Sequence, residues 1–455
     1  MSPISSEMSL DEILEDIRYL IKNNQKEFIQ NIIADLHPAD IADLITHLDG
    51  EDRRAIFNLL STDVASDVLI ELDESVKEDI LKGIDSQRLA EIVNRMDSDD
   101  AADIVSELPI DQASEVLEQV EEESSEEIQE LLLYPEDTAG GIMAKEYVAV
   151  DANSTVEEAI EEIRRKHHDV EDLYYCYVVD DFGTLVGMVS LSRLILAEPH
   201  TKVRDIMDED VVVIESDMDQ EEVARLFRKY DLVAAPVVNK RHKLIGRITI
   251  DDIVDVIDEE MDEDLGRIAG TGEEEVLEDS VIQISRSRLP WLILSFIGEM
   301  ISAFILKHFE GTIQQIIAST FFIPLVMALG GSTGQQSSII VVRGLATGEI
   351  ALKDTRRRLR RELSVSLLNG AFLGTLIFII IALWHKDFVF GLLLSTTLVM
   401  IIMNASIFGA IIPIFFKKIN VDPALATGPF VATFNDVVGL LIYFTLLTIG
   451  FSFII

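Results

Sequence analysis

Residues 388–416 read FVFGLLLSTTLVMIIMNASIFGAIIPIFF and contain no charged side chain. A helix needs about 20 consecutive apolar residues to cross the hydrocarbon core of a membrane, so this stretch is long enough to span it. Four more stretches of similar character lie in the same half of the chain, at 289–306, 313–342, 363–384 and 429–451. The sequence therefore predicts an α-helical membrane domain with five transmembrane helices.

The loop between the second and third stretches is strongly basic. It contains Arg343, Lys353 and five arginines between 356 and 361. Loops rich in Lys and Arg stay on the cytoplasmic side, so alternation of the spans places the N-terminus in the cytoplasm and the C-terminus outside. No signal peptide is expected, because the chain does not open on a basic start followed by an apolar run. The only cysteine, Cys176, excludes an internal disulfide and fits a reducing compartment.

Charge divides the chain into two parts. The whole chain has 455 residues and a net charge of −44. Residues 281–455 contain 8 acidic and 13 basic side chains, which leaves a net charge of −49 on residues 1–280. A surface this anionic repels nucleic acid and anionic lipid headgroups and attracts cations. We therefore expect cations as partners and no nucleic acid, although the same charge is also typical of a surface that only confers solubility.

Acidic side chains inside membrane helices usually face a pathway, because burying a charge in lipid costs at least about 2.5 kcal/mol. Asp436 lies in the fifth stretch and follows Asn435. Gly428-Pro429 interrupts the helix ahead of it, which frees backbone carbonyls toward a cavity. Oxygen ligands of this kind suit a hard divalent cation. Asp436 is therefore either a pore ligand or a carboxylate buried against another helix, whereas Glu299 in the first stretch is less informative.

Residues 330–336, GGSTGQQ, form a small and polar segment within the second stretch. Such residues line water more readily than lipid, and they also let helix backbones approach closely. The segment is thus either part of a pore lining or a site of tight packing. The candidate pore-lining residues are Gly330, Gly331, Ser332, Gly334, Gln336 and Asn435.

Residues 142–260 contain one pattern twice. The run 177–179 followed by 185–189 matches 236–238 followed by 244–248 at a constant offset of 59 residues. Strand, turn, strand and helix recur in the same order, which predicts two small α/β units packed as a pair. This pattern resembles tandem CBS domains, a family whose members pair up and bind adenine nucleotides or other regulators.

The two copies differ at the ribose-binding Thr-x-x-Asp of that family. The second copy has it as Thr249-Ile250-Asp251-Asp252, whereas the first copy has Ser190-Leu191-Ser192-Arg193. The resemblance therefore leaves two interpretations. Either ATP binds at Thr249 and Asp252, or the pair is a purely structural module.

Ahead of the repeats, residues 10–133 show helical periodicity. Ile41, Leu44 and Leu48 recur on one helix face, and short turns punctuate the pattern. This predicts a superhelix of stacked short helices. Asp99 and Asp103 are one helical turn apart, so they either meet a shared ion or only cap and solvate their helix. Further along, nine acidic residues crowd the segment 251–264, where carboxylates repel one another unless cations bridge them.

This order of domains resembles the MgtE family of magnesium channels over nearly the whole chain. The most specific segments are 324–346 and 422–436. One departure is Ser332, where the family usually has asparagine. The resemblance implies a homodimer in the cytoplasmic (inner) membrane, with a hydrated Mg²⁺ near Asp436 in a pore between the subunits.

The resemblance also implies that an acidic connecting helix, the plug helix, closes the pore from the cytoplasmic side. In the family pattern Asp422 faces Glu263 and Asp264 of that helix. Regulatory ions bind between CBS faces and at the helical domain. The residues implied for these ions are Asp99 and Asp103 in the helical domain, Glu221, Asp231, Asp252 and Asp255 in the CBS pair, and Glu263, Asp264 and Asp422 where the plug helix meets the membrane domain.

Five domains are predicted. They are an all-α acidic superhelix (1–135), CBS repeat 1 (136–200), CBS repeat 2 (201–257), the plug helix (258–284) and the membrane domain (285–455). The predicted function is a Mg²⁺-selective uptake channel that cytoplasmic Mg²⁺ closes. The alternative is an ion-coupled secondary transporter of divalent cations that adenine nucleotide regulates. We expect no enzyme, because the sequence has neither a His-Glu-x-x-His run nor a phosphate-cradling Gly-rich loop followed by Lys-Ser/Thr.

Overall fold

The computed structural model describes residues 10–23, 25–166, 170, 173–271, 281–350, 355–419 and 421–452. The chain divides into two compact units, Met1–Glu259 and Glu260–Ile455. Lys353 of the basic loop and residues 272–280 of the predicted plug helix lie outside the described residues.

Short helices form the N-terminal part of the first unit. Every second helix is in contact, α3 with α5, α5 with α7 and α7 with α9, and apolar side chains such as Ile45, Leu69 and Leu89 are fully buried between them. At the start of α7 the Asp85 carboxylate accepts a hydrogen bond from the Arg88 amide (3.0 Å) and caps the helix. The predicted superhelix is confirmed. Its helices are α1 (Leu10–Lys22), α2 (Lys26–Ile33), α3 (Pro38–Thr46), α4 (Gly50–Phe57), α5 (Thr62–Ile70), α6 (Glu74–Leu81), α7 (Ser86–Val93), α8 (Ser98–Ser106), α9 (Ile110–Leu117) and α10 (Glu122–Leu131).

Two three-stranded sheets follow, in the orders β1-β2-β3 and β4-β5-β6. In each sheet the first strand pairs in parallel with the second, and the second pairs antiparallel with the third. A bulge interrupts the register at Val178/Val179 in one sheet and at Val237/Val238 in the other, so the two copies share one register. The predicted α/β pair is confirmed. Its elements are β1 (Ala149–Asp151), α11 (Val156–Lys166), β2 (Tyr175–Val179), β3 (Leu185–Ser190), α12 (Leu191–Leu196), α13 (Val203–Ile206), β4 (Ile214–Glu215), α14 (Gln220–Tyr230), β5 (Ala234–Val238) and β6 (Leu244–Thr249).

One helix, α15 (Ile250–Ala269), continues from β6 without a break. It is the last helix of the second repeat and also the connecting helix, so no helix boundary occurs at the predicted start of the plug helix, residue 258. The first membrane helix already begins at Val281, within the range predicted for the plug helix.

The second unit contains five helices that are long and apolar enough to cross a membrane, as the sequence predicted. The central helix of the bundle, α20, contacts α18, α19 and α21, whereas α16 packs mainly against α21. Leu394, Ile402 and Leu447 are fully buried between these helices. The helices are α16 (Val281–His308), the short α17 (Glu310–Gln315), α18 (Ile323–Ala346), α19 (Thr355–Trp384), α20 (Phe388–Lys418) and α21 (Gly428–Ser452), with 3₁₀ turns at Ile317–Phe322 and Ala424–Ala426.

The ends of α18 and α20 lie beside the start of α19, because Val341, Leu345, Ala410 and Ile414 form one apolar cluster with Leu359. The start of α21 follows the end of α20 after a short link. We call this the basic end of the membrane unit, because it carries the arginines of residues 356–361.

Candidate functional site

Acidic side chains gather where the first turn of α8 meets the first turn of α15. Asp99 is 7% exposed, and its nearest charges include Asp97, Asp100 and Asp252. Burial, followed by repulsion from these carboxylates, raises the pKa of Asp99 well above its ordinary value. The pKa of Asp100 is raised for the same two reasons, and burial raises the pKa of Asp252 to about 6. We call Asp97, Asp99, Asp100 and Asp252 the acidic junction.

Hydrogen bonds fix both sides of the acidic junction. The Ser98 amide and hydroxyl donate to the Glu146 carboxylate (3.1 and 2.8 Å), which ties α8 to the segment ahead of β1. The Thr249 amide and hydroxyl donate to one oxygen of Asp252 (2.8 and 2.9 Å), so Asp252 caps α15. The buried guanidinium of Arg247 lies 4.0 Å from Asp97. Nothing in the sequence pattern pointed to Glu146, because its partner lies 48 residues away.

Asp103 lies one turn further along α8, at the rim of the junction. The surrounding protein raises its pKa to about 7 by desolvation, although part of its side chain stays open to water. Asp255 is exposed on α15, and desolvation and then the charge of Glu71 raise its pKa. Both carboxylates therefore add to the negative charge around the acidic junction.

The other two carboxylates predicted for the CBS pair lie apart. Glu221 is in the first turn of α14, and Asp231 follows the last turn in a left-handed conformation with φ of 52°. The helix between them is 11 residues long, or about 16 Å at 1.5 Å per residue. Within the described residues of this single chain, no three carboxylate, imidazole or thiol groups converge as ligands of one ion.

In the membrane unit, Asp436 is half-buried on α21 and hydrogen-bonds with the Glu299 side chain of α16. Its neighbour Asn435 is 3% exposed and packs against Gly334 of α18, where an added Cβ would lie only 1.8 Å from the Asn435 amide nitrogen. Both polar atoms of that amide lack a hydrogen-bond partner in the described chain. Asn435 therefore lies in the α18–α21 packing of a single chain.

The other predicted lining residues alternate along α18. Gly330 is buried and Gly331 is half-buried, whereas Ser332 and Gln336 are exposed on one face. Close packing explains Gly334, because a Cβ on Gly409 of α20 would lie 2.3 Å from its carbonyl oxygen. Of this segment, Ser332 and Gln336 thus form the polar face that α18 leaves open.

At the basic end, the last turn of α15 contacts the start of α21. Arg267 forms ion pairs with Glu263 and with Asp422, so a guanidinium lies between the two predicted carboxylates. Gly428 has φ of 51°, and a Cβ there would lie 2.3 Å from the carbonyl oxygen of Ile268. Only glycine permits this approach. Asp264 is half-buried on the same turn as Glu263.

The membrane unit also contains a buried carboxylate, Glu362, which the sequence pattern placed in the basic loop ahead of the third apolar stretch. Glu362 is 7% exposed on α19 and accepts hydrogen bonds from serines of α18 and α20. Its position directly ahead of the apolar run, four residues after Arg358, was the available signal.

Comparisons with known proteins cover all parts of the chain described above. The profile of the MgtE family, described as a divalent cation transporter, matches residues 323–446. The profile of the MgtE intracellular N domain matches residues 36–137, and the CBS domain profile matches 139–200 and 203–259.

Curated relatives match along nearly their full length. The magnesium transporter MgtE of Bacillus subtilis is 34% identical over 441 residues, covering 97% of this chain and 98% of the relative. The magnesium transporter MgtE of Thermus thermophilus is 35% identical over 440 residues, covering 95% and 97%. A crystal structure of the cytosolic domain of the Mg²⁺ channel MgtE in complex with ATP is 36% identical, with a TM-score of 0.51, and covers 53% of this chain and 99% of that one.

Proposed function

Since the chain belongs to the MgtE family of divalent cation transporters, we propose that it takes up Mg²⁺ across the cytoplasmic membrane as a homodimeric channel that cytoplasmic Mg²⁺ closes. Its relatives over nearly full length are magnesium transporters. The N-terminus lies in the cytoplasm and the C-terminus outside, as the basic loop favours.

The observation that carries the proposal is the course of α15. Its first turn contributes Asp252 to the acidic junction, and its last turn contacts Asp422 and Gly428 at the start of α21. Asp436 lies on that same α21. One continuous helix thus connects carboxylates that sense cations to the helix that carries the acidic residue of the ion path.

The ion path runs along α18 and α21 where two chains meet. Ser332 and Gln336 form a polar face that a single chain leaves open, and Asp436 is only half-buried. Polar faces of this kind do not remain against lipid, because unsatisfied polar groups are costly there. A second copy related by two-fold symmetry would enclose them in a shared pore, with Asp436 supplying oxygen ligands to a hydrated Mg²⁺.

Closure follows from the charge of the acidic junction. Without cations, Asp99, Asp100 and Asp252 are carboxylates partly or fully removed from water beside other carboxylates, and desolvation followed by this repulsion raises their pKa values. Mg²⁺ bound among them, and between Asp422 and the Glu263–Asp264 turn, stabilises the arrangement in which α15 rests on α21. Ions that bind this closed arrangement more tightly than the open one shift the equilibrium toward closure.

The membrane potential supplies the driving force for inward flow. Moving one elementary charge through 100 mV is worth about 2.3 kcal/mol, and Mg²⁺ carries two charges. Uptake therefore needs no ATP hydrolysis.

The test is a patch-clamp recording of the reconstituted full chain while Mg²⁺ on the cytoplasmic face is stepped upward. We expect Mg²⁺ currents that shut as the ion rises, and no current from Asp436→Ala. Glu263→Gln with Asp264→Asn should leave conduction intact and weaken closure. Slow uptake without measurable current would replace the channel by the ion-coupled secondary transporter.

We further propose that an adenine nucleotide binds the second CBS copy at Thr249 and Asp252. The similar cytosolic domain was crystallised with ATP, and the Thr249 hydroxyl and the Asp252 carboxylate already lie together (2.9 Å). In the first copy Ser190 caps α12 instead, and Arg193 donates to the Ile206 carbonyl (2.9 Å). Calorimetric titration of the full chain with ATP should give one site per chain that Asp252→Asn abolishes and Asp251→Asn retains.

A further inference from the structure

Four polar side chains form one buried network inside the membrane unit. One carboxylate oxygen of Glu362 accepts hydrogen bonds from the Ser337 hydroxyl (2.8 Å) and the Ser406 hydroxyl (3.1 Å). The two hydroxyls are themselves 2.9 Å apart. Arg358 pairs with the other carboxylate oxygen. We call Arg358, Glu362, Ser337 and Ser406 the buried network.

The buried network joins three helices at one level. Ser337 belongs to α18, Ser406 to α20, and both charged residues to α19. Ser337, Ser406 and Glu362 are 4%, 2% and 7% exposed. Breaking a buried ion pair by removing one partner costs about 3–5 kcal/mol, because the remaining charge stays buried without compensation.

Glycines next to the network allow the backbones of α18 and α20 to pack in close contact. Gly334 is three residues before Ser337, and Gly409 is three residues after Ser406. A Cβ on Gly409 would lie 2.3 Å from the Gly334 carbonyl oxygen, so the two backbones nearly touch. A slip of α18 by one residue is about 1.5 Å, which would separate Ser337 from the Glu362 carboxylate and from Ser406.

We propose that Glu362 is a positioning residue for ion conduction, which holds α18 in the register that presents Ser332 and Gln336 to the ion path. The inference rests on the proposed function for the identity of that path. Glu362 itself is enclosed by three helices. It acts through Ser337, the residue directly after Gln336.

The variants separate positioning from folding. Glu362→Ala removes the carboxylate, and Ser337→Ala removes one donor from α18. In the double variant Glu362→Gln with Arg358→Gln, the amide oxygen still accepts from both serines and no unpaired charge remains. Ser364→Ala is the matched control, because its exposed hydroxyl bonds only to the Arg360 carbonyl of its own helix (2.9 Å).

Unitary conductance is the decisive readout, since it does not depend on how many molecules fold. In Glu362→Ala the unitary Mg²⁺ conductance should fall by about tenfold or more, since misplacement by about 1 Å at a preorganised catalytic site can cost about a hundredfold in rate. The double variant should recover most of it, and Ser364→Ala should match the parent chain. Normal conductance per open channel with fewer channels in Glu362→Ala would reduce the network to a purely structural role and overturn the proposal.

A second measurement does not need current. In a Cys176→Ser background, Ser332→Cys is labelled with a maleimide with and without Glu362→Ala. A changed labelling rate at Ser332→Cys, with an unchanged rate at a Ser364→Cys control, supports the role in register. Equal rates at Ser332→Cys refute it. If the parent chain itself passes no Mg²⁺ current, the proposed function fails, and the labelling still decides the register.

Discussion

Arg267 holds two carboxylates at the basic end of the membrane unit, Glu263 one turn before it on α15 and Asp422 ahead of α21. A guanidinium donates through several N–H groups and remains charged at every physiological pH. It therefore supplies a permanent positive charge where the family resemblance implies a divalent cation. Part of the contact between α15 and α21 should thus persist when Mg²⁺ is low.

The first prediction concerns Arg267→Gln, which removes that charge. The side chains of the pair are 33% and 28% exposed, so solvent screens the interaction and the loss should be about 1 kcal/mol or less. Closure should then require a severalfold higher Mg²⁺ concentration, measured from the Mg²⁺ dependence of open probability. Lys418→Gln, an exposed basic residue at the same end, is the control.

A charge swap sharpens this prediction. Arg267→Asp combined with Asp422→Arg should close at lower Mg²⁺ than either single variant, because the ion pair is rebuilt in the opposite sense. If Arg267→Gln instead closed at lower Mg²⁺ than the parent chain, Arg267 would be a competitor of the ion and not a contact that favours closure.

At the scale of elements, the junction of α8 with α15 is held together against electrostatic repulsion. Two features hold the junction together: the Ser98–Glu146 hydrogen bonds and the buried apolar residues of α8, such as Ile104 and Val105. The charges that act on Asp99 there are those of other carboxylates. The pKa values of Asp99, Asp100 and Asp252 are raised, so the folded junction favours their protonated forms. Cations are the natural substitute for those protons at neutral pH.

The second prediction follows from the sign of these shifts. A carboxyl whose pKa is raised on folding stabilises the fold at low pH, and that contribution is lost as pH rises through the folded-state value. For Asp252 the loss falls between its unfolded value near 4 and about 6. In chelator, the protection factors of the α8 amides, taken relative to the intrinsic exchange rate at each pH, should therefore fall over this pH range, and Mg²⁺ should suppress the fall.

The Asp99→Asn variant tests the cause. It removes one buried charge, so the protection factors of the α8 amides in chelator should depend less on pH, and Mg²⁺ should raise them less. Asp111→Asn, at an exposed position in the first turn of α9, should leave both unchanged. If the protection factors of the α8 amides in the parent chain did not change with pH, the junction carboxylates would not destabilise the fold when they ionise.

At the scale of the whole molecule, charge is divided very unevenly. Residues 1–280 have a net charge of −49, whereas residues 281–455 are net basic. At physiological salt the Debye length is about 8 Å, so monovalent ions screen distant charges and leave close carboxylates repelling one another. Divalent ions that bind between specific carboxylates act over distances shorter than the Debye length, where monovalent ions leave the repulsion in place.

The third prediction is that Mg²⁺ compacts the full chain more than salt does. Sedimentation velocity in detergent should show a higher sedimentation coefficient in millimolar Mg²⁺ than in NaCl of equal ionic strength. Neutralising Asp99, Asp100 and Asp252 together should reduce the difference. Equal compaction by both salts would mean that general screening suffices and that no specific regulatory site is needed.

The secondary-structure elements and their order follow from local patterns in the sequence. Membrane helices, the duplicated α/β unit and the stacked short helices were all predicted, because hydropathy, helical period and an internal repeat are local properties of the chain. The acidic residues that gather around α8 and α15 could be named for the same reason.

Which side chains meet depends instead on how the helices pack. Arg267 and Asp422 are 155 residues apart, Ser98 and Glu146 are 48 apart, and Ser406 and Glu362 are 44 apart. No local pattern encodes such pairs, because they depend on which helix faces pack together and in what register. That is why the family resemblance implies only the carboxylates of Asp422 and Glu263 where the structure also has Arg267, and why the role of Glu362 depends on its enclosure by α18, α19 and α20.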